Sequence, residues 1–342
     1  MSKIVCFGEA LIDLLAQPPA TADTPRAFLQ YAGGAPANVA VAAARLGADA
    51  HFAGMLGHDM FGDFLLQSFV AAGVATDCIV RTNAAKTALA FVALDEQGER
   101  SFSFYRPPAA DLLFRSAHFL PACFGGTGSF HVCSNSLTEA GVAEATLDGM
   151  ARARDAGAMV SLDLNLRPAL WPEGVDPGPR LWQALSAADL VKLSQEELDY
   201  LAQPMGGGAD GEAAVRARIF EGKAHWLIVT DGAAQIRWFT RQASGHAPSF
   251  RVEARDTTAA GDAFVGGLLF RLGELGGDGR GFHAFCQHQE GLEDAIRFGA
   301  AVGALAVTRK GAFAAMPSLA EVNQLLREQH HEPAALALGD EG

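Results

Sequence analysis

Cysteine is scarce and scattered. The five thiols, Cys6, Cys78, Cys123, Cys133 and Cys286, are odd in number, far apart and without a CxxC pair, which argues against a disulfide framework or a cysteine-rich zinc site and for a reducing, cytoplasmic setting. Positive charge is also in short supply, with 26 Lys and Arg against 39 Asp and Glu and a net charge of -13. Such a surface repels nucleic-acid phosphates and anionic lipid, so any anion the chain binds must be held by a local device. Long apolar runs are missing: the alanine-rich segments are broken by Gly, Arg or Asp, and no stretch of about 18 uncharged apolar residues marks a membrane span. Glu9 and Asp13 interrupt the apolar start and Lys3 is the only early positive charge, so the N-terminus reads as a first strand, not a secretory signal. A GxxxxGK[ST] loop is absent, since Gly222-Lys223 is followed by Ala, and no GxGxxG follows a strand. A P-loop ATPase and a dinucleotide-dependent dehydrogenase are thereby disfavoured.

What is present is a chain of 342 residues, 49% of them hydrophobic, enough for one substantial core. Residues 4–7 form a short apolar run ending at Gly8, and the next apolar segment, 10–15, carries Asp13. Residues 37–46 are rich in Ala and Val, follow a Gly-Gly-Ala-Pro turn and stop at Gly47, the pattern of a buried helix with a glycine C-cap. Residues 87–106 alternate about a DEQG turn, which predicts a hairpin with Phe102, Phe104 and Arg106 on one face. Beyond residue 130, strand-like runs at 130–133, 159–163, 190–193 and 226–230 alternate with helical stretches such as 139–156 and 195–202. That alternation predicts an α/β fold with a mainly parallel sheet flanked by helices. The glycine-rich stretches 206–211 and 273–281 read as surface insertions and the tail from 328 as poorly ordered, leaving one domain over 1–327.

The most informative segment is DTTAAGDAF, residues 256–264, running into an apolar helical stretch. Small residues at Ala259, Ala260 and Gly261 let backbone approach a ligand, and their amides open a helix, where unpaired donors and the dipole favour an anion. Asp262 at the mouth of this cradle is placed to take a proton from a hydroxyl; as residue types alone, Asp256 and Asp262 read equally as helix caps.

At these residues the chain resembles the ribokinase-like carbohydrate kinases, the phosphofructokinase-B family, through DTxxAGDxF and through an earlier AGGAPANVAVAAARLG with Gly33, Gly34 and Asn38. GMLGHDMFGDFL, with Gly57, Asp59 and Gly62, matches the family's next segment, and the likeness spans about residues 3–325. It implies a three-layer α/β/α fold with a small β-hairpin lid formed from about 10–32 and 87–106. It also implies ATP and magnesium as co-substrate and cofactor, a sugar as acceptor, a homodimer, and Asp262 as base beside Ala259, Ala260 and Gly261. Asp13, Gly33, Gly34 and Asn38 match sugar-binding positions. Glu197 matches an acidic residue that orders magnesium through water, with Ser194 where many relatives have Asn. Thr230, Gly232, Thr257, Gly261, Ala301 and Lys310 resemble the nucleotide pocket, and Asp256 and Thr258 a potassium-type monovalent-cation site.

FYRPPAADLLF (104–114) and DLNLRPALW (163–171) are similar to bacterial fructokinases, which implies phosphorylation of D-fructose to fructose 6-phosphate. The same arginines, Arg106 and Arg167, also resemble those of 2-dehydro-3-deoxygluconate kinases, where they would pair with a substrate carboxylate; as residue types they read equally as ion-pair arginines. An inert sugar- or nucleotide-binding relative is a further alternative, which the presence of Asp262 argues against. A metal-dependent hydrolase built on His283, Cys286 and His288 is disfavoured because no carboxylate lies close in sequence; these residues, like His330 and His331, are expected to face solvent.

Overall fold

Strands that are apolar on both sides build the central sheet. In β1 (Lys3–Phe7), Ile4 and Cys6 point into one core and Val5 and Phe7 into another, all four essentially inaccessible, which is how a strand covered on both faces reads. The computed structural model describes residues 2–17, 21, 25, 27–94 and 100–328; the expected DEQG turn, His330, His331 and the tail from 329 lie outside them. The other strands are β2 (Leu11–Ala16), β3 (Phe28–Gly33), β4 (Asp49–Gly57), β5 (Ala75–Thr82), β6 (Leu89–Leu94), β7 (Arg100–Tyr105), β8 (Thr127–Cys133), β9 (Met159–Asp163), β10 (Leu190–Ser194), β11 (Trp226–Thr230), β12 (Ile236–Thr240) and β13 (Ser244–Ala247). The helices are α1 (Ala35–Leu46), α2 (Met60–Ala72), α3 (Ala140–Asp155), α4 (Gly178–Ala187), α5 (Gln195–Ala202), α6 (Gly208–Glu221), α7 (Ala260–Glu274), α8 (Phe282–Phe285), α9 (Gln289–Ala306) and α10 (Leu319–Glu328).

Nine strands form the large sheet in the order β13-β12-β11-β10-β9-β8-β1-β4-β5. Seven of them, β5 through β11 in that order, are parallel, and β12 and β13 continue it antiparallel. Core residues of α1, α2, α7 and α9 fill one side and those of α3 to α6 the other, giving the expected three layers. Strand order reverses beside β1, which has β4 on one side and β8 on the other. In open parallel sheets the crevice at the carboxyl ends of such strands is where ligands bind.

The second sheet is larger than a hairpin. It holds four strands in the order β3-β2-β6-β7, with two antiparallel hairpins joined by a parallel pairing of β2 and β6. Asp59 ties its base to the main body: it caps α2 by accepting from the amides of Phe61 (3.1 Å) and Gly62 (2.8 Å), while its other oxygen accepts from the Thr87 amide (2.9 Å). The stretch 206–211, expected as a surface insertion, is largely exposed but is built into the start of α6. Gly206 and Gly207 take left-handed conformations that close one turn and launch α6, and a Cβ on Gly211 would lie 2.8 Å from the Ala202 carbonyl oxygen. In 273–281, a Cβ on Gly277 would strike the Phe285 ring at 2.6 Å, so this segment too is packed. Among the described residues no helix is long and apolar enough to cross a membrane.

Candidate active site

The loop before α7 is shaped by Asp256. Its carboxylate accepts from the Thr258 amide (2.9 Å) and, through the other oxygen, from the Gly311 amide (3.1 Å), so the turn is stapled to the segment after α9. Ala259 then takes a left-handed conformation, φ 59° and ψ 15°, and caps α7. The first helical amides, at Gly261 and Asp262, have no intrahelical acceptor by helix geometry and carry the positive end of the dipole. Gly303 of α9 packs beneath, its site for a Cβ only 3.1 Å from the Ala260 carbonyl oxygen. Because the left-handed region costs an L-residue about 1–2 kcal/mol and glycine gives part of that back through its freer unfolded chain, Ala259→Gly is expected to stabilise the fold by roughly 0.5–1 kcal/mol. A denaturant midpoint unchanged or lowered would show that the Ala259 methyl packs well enough to offset its strain.

Asp262 lies in the first turn of α7 and is buried, 7% exposed. It is more than a helix cap: Asn38 Nδ2 donates to Oδ2 at 2.8 Å and Asn165 Nδ2 to Oδ1 at 3.0 Å. Burial pushes its carboxyl up to about 7; the Asn38 hydrogen bond opposes this, Asp163 adds to it, and Lys192 and Arg167 pull the other way. Asn38 comes from the first turn of α1, where Gly34 is the cap. A side chain on Gly34, at φ 111°, would sit 2.5 Å from the Glu9 carbonyl oxygen, so only glycine fits. Among the described residues Asn38 Oδ1 is buried without a partner, an acceptor that a donor hydroxyl would satisfy. The space a Cβ of Gly33 would fill is where the Asp13 carboxylate lies, 2.3 Å from that position. Asp13, Gly33, Gly34, Asn38 and Asp262 thus form one contiguous run of contacts across β2, β3, α1 and α7.

Asn165 was not singled out in the sequence. It follows β9 at φ 40°, a conformation Asn tolerates better than most side chains and one that recurs at functional sites. The signal available was its place in DLNLR, two residues past a buried strand. Asp163 and Lys192 were also missed. Lys192 Nζ meets both oxygens of Asp163 at 3.1 and 3.0 Å, and Lys192 and Asp163 are register partners on β10 and β9. Glu197, expected on a surface helix if not functional, is buried: its oxygens accept from the amides of Leu166 and Ser194, both 2.8 Å, and Ser194 caps α5 in return. Burial and the neighbouring Asp163 push its carboxyl up against the pull of Lys192.

The two arginines part company. Arg167 is exposed and its charge reaches Asp262. Arg106 is 1% exposed and lies one residue beyond the end of β7. Its Nε donates to Asp111 Oδ2 (2.8 Å), its Nη2 lies 2.6 Å from the same oxygen and donates to the Asn135 carbonyl (2.8 Å), and Nη1 reaches Thr138 Oγ1 (3.4 Å). Glu9 completes this network by accepting from the Ala35 amide (3.1 Å) and Asn135 Nδ2 (3.0 Å). Of the residues expected at a nucleotide pocket, Thr230 ends β11, Gly232 forms an open left-handed turn, and Thr257 and Lys310 are exposed. Ala301 is the exception: it is fully buried in the core against which α7 packs. His283 and His288 are exposed as expected, whereas Cys286 is a core residue.

A parallel-sheet body, a second β-sheet at its carboxyl edge and a buried carboxylate at an open helix N-terminus define a ribokinase-like phosphotransferase. The chain belongs to the pfkB family of carbohydrate kinases, whose model matches residues 1–319. It is 40% identical over 326 residues to fructokinase-1 of Oryza sativa subsp. japonica, covering 94% of this chain and 97% of that protein. A crystal structure of fructokinase with bound ATP from Xylella fastidiosa superposes with a TM-score of 0.91 at 59% identity, over 96% of this chain and 99% of the other. The fructokinase of Vibrio cholerae O395, solved with fructose, ADP and calcium ion, gives 0.82 at 34% identity over 95% and 99%.

Proposed function

We propose that this protein is an ATP-dependent fructokinase in which Asp262 takes the proton from the C6 hydroxyl of D-fructose as that oxygen attacks the γ-phosphate. The observation that carries the reading is the carboxylate held at both oxygens by Asn38 and Asn165 beside the unpaired amides of Gly261 and of Asp262 itself. A base and an anion cradle at one helix end are what phosphoryl transfer to a hydroxyl requires. The sugar lies against Asp13, Gly33, Gly34, Asn38 and Arg167, and ATP runs from Gly261 toward Thr257, Thr230, Gly232 and Lys310. Magnesium neutralises phosphate charge and keeps several waters; Glu197, buried beside the Asp163–Lys192 pair, is suited to order one of them. The stapled turn at Asp256 and Thr258 is where a potassium ion would sit.

The second sheet acts as a lid that excludes water during transfer. Phe28, Phe91 and Tyr105 form an edge-to-face ladder on it, with Phe28 40% and Tyr105 66% exposed. This is apolar surface suited to a second copy of the chain, hence a homodimer. Residues 1–327 form the single kinase domain, acting in the cytoplasm. The keto-acid reading loses half its support, because Arg106 is already committed to Asp111.

ADP release with ATP and magnesium, followed in parallel on fructose, ribose, glucose and 2-dehydro-3-deoxygluconate, tests this reading. Fructose is expected to lead in kcat/KM by about ten-fold or more. Preference for the keto acid would overturn the substrate, and no turnover on any sugar would leave a binding protein.

A further inference from the structure

We propose that Lys192 is a positioning residue for phosphoryl transfer, which rests on the kinase reading above: its ammonium, clamped by Asp163 directly behind Gly261, places a fixed positive charge under the anion cradle. A Cβ built on Gly261 would come within 3.0 Å of Lys192 Nζ and 3.9 Å of Asp163 Oδ2, so the absence of a side chain at Gly261 lets the cation reach the first turn of α7. The pair is buried, with side-chain exposures of 9% and 2%. Removing two charges from water is expensive, and apolar residues of similar volume usually stabilise a fold as well or better. A cation beside a helix N-terminus is also repelled by the dipole. Both costs fall at the one place where the reaction brings in negative charge, and a phosphoryl group in transfer would turn the second into an attraction. Burial works against the Lys192 charge, but Asp163 and Glu197 hold it above its ordinary value, so it stays cationic through the working pH range. Among the groups that shape Asp262, Lys192 favours the ionised base, as Asn38 and Arg167 do, and Asp163 opposes it.

The test compares Lys192→Met with the double variant Lys192→Met/Asp163→Asn, each first shown to be folded by its unfolding transition. In the single variant kcat is expected to fall about 100-fold, with fructose KM within about three-fold, and the acidic limb of kcat/KM to move to higher pH because Lys192 no longer offsets the effect of Asp163 on Asp262. The double variant removes the stranded carboxylate and restores stability. Its kcat is expected to stay low, and its affinity for ATP, measured by calorimetry without sugar, to be several-fold weaker. A double variant with near wild-type kcat and ATP affinity would make the pair a purely structural one and overturn the proposal. Should the wild type turn over no sugar, the kinase reading fails on its own, and the ATP measurement still decides for or against a charge behind the cradle.

Discussion

Asp262→Asn is expected to lower kcat by a factor on the order of a thousand or more while leaving fructose KM within a few-fold. The substitution keeps shape and volume; Asn38 Nδ2 and Asn165 Nδ2 donate to the two carboxylate oxygens at 2.8 and 3.0 Å, and the new amide can accept from one of them and donate to the other once that partner turns its own amide over. What it removes is the ability to accept a proton. In the wild type kcat/KM should rise with pH and level off above about 7, because burial pushes the Asp262 carboxyl up to about 7 and only the ionised form is a base. The Asn variant should lose that limb along with its activity. Stability supplies an independent sign. A carboxyl whose folded value lies above its ordinary 3.8 binds more protons folded than unfolded between the two, so its contribution to stability falls as pH rises from about 4 to about 7. The variant lacks that loss, and its melting temperature relative to wild type should climb across the same window. Near-normal turnover, or a gap in melting temperature that does not change with pH, would remove Asp262 from the role of buried base.

Much of this arrangement was legible in local pattern. The strands at 159–163 and 226–230 and the helix at 195–202 coincide with β9, β11 and α5, because buried apolar runs bounded by polar turns have few other conformations open to them. The cradle was legible too, since small residues followed by an acid at a helix start have a local meaning. What local pattern does not carry is pairing between distant elements. Asn38 and Asn165 reach Asp262 across 224 and 97 positions, and Lys192 looked like any strand residue until its register with Asp163 was known. Glu9 was noticed only as a break in an apolar start, yet it ties α1 to the Asn135 loop. Alternation could not say what Arg106 meets: Ser103 and Tyr105 are exposed and Arg106 is buried, but its partners Asp111 and Asn135 lie beyond β7. The glycine-rich start of α6 read as a surface insertion and not as a helix. Glycine lowers helix propensity, but Gly211 sits where a side chain would strike Ala202, and close packing outweighs that penalty.

Arg106→Leu is expected to cost about 3–5 kcal/mol of stability, the penalty for stranding a buried charge. Asp111, at 4% exposure, and Glu9, at 1%, would lose the guanidinium between them, and the Asn135 carbonyl and Thr138 hydroxyl would lose a donor. Replacing the opposite charge as well, in Arg106→Leu/Asp111→Leu, should recover part of the loss, since only Glu9 then remains unbalanced and it can take up a proton. Arg167→Leu should behave differently in both respects. Its side chain is exposed and makes one long hydrogen bond, to the Leu166 carbonyl at 3.3 Å, so stability should change by no more than about 0.5 kcal/mol. Its charge nonetheless helps keep Asp262 ionised, so sugar KM and the acidic limb of the pH profile should shift. Urea unfolding of the three variants, paired with kinetics on the folded protein, separates the two arginines. If Arg106→Leu unfolded at the wild-type urea concentration while fructose KM rose steeply, Arg106 would be a sugar ligand after all, and the buried network around Glu9 would have to rearrange when substrate binds.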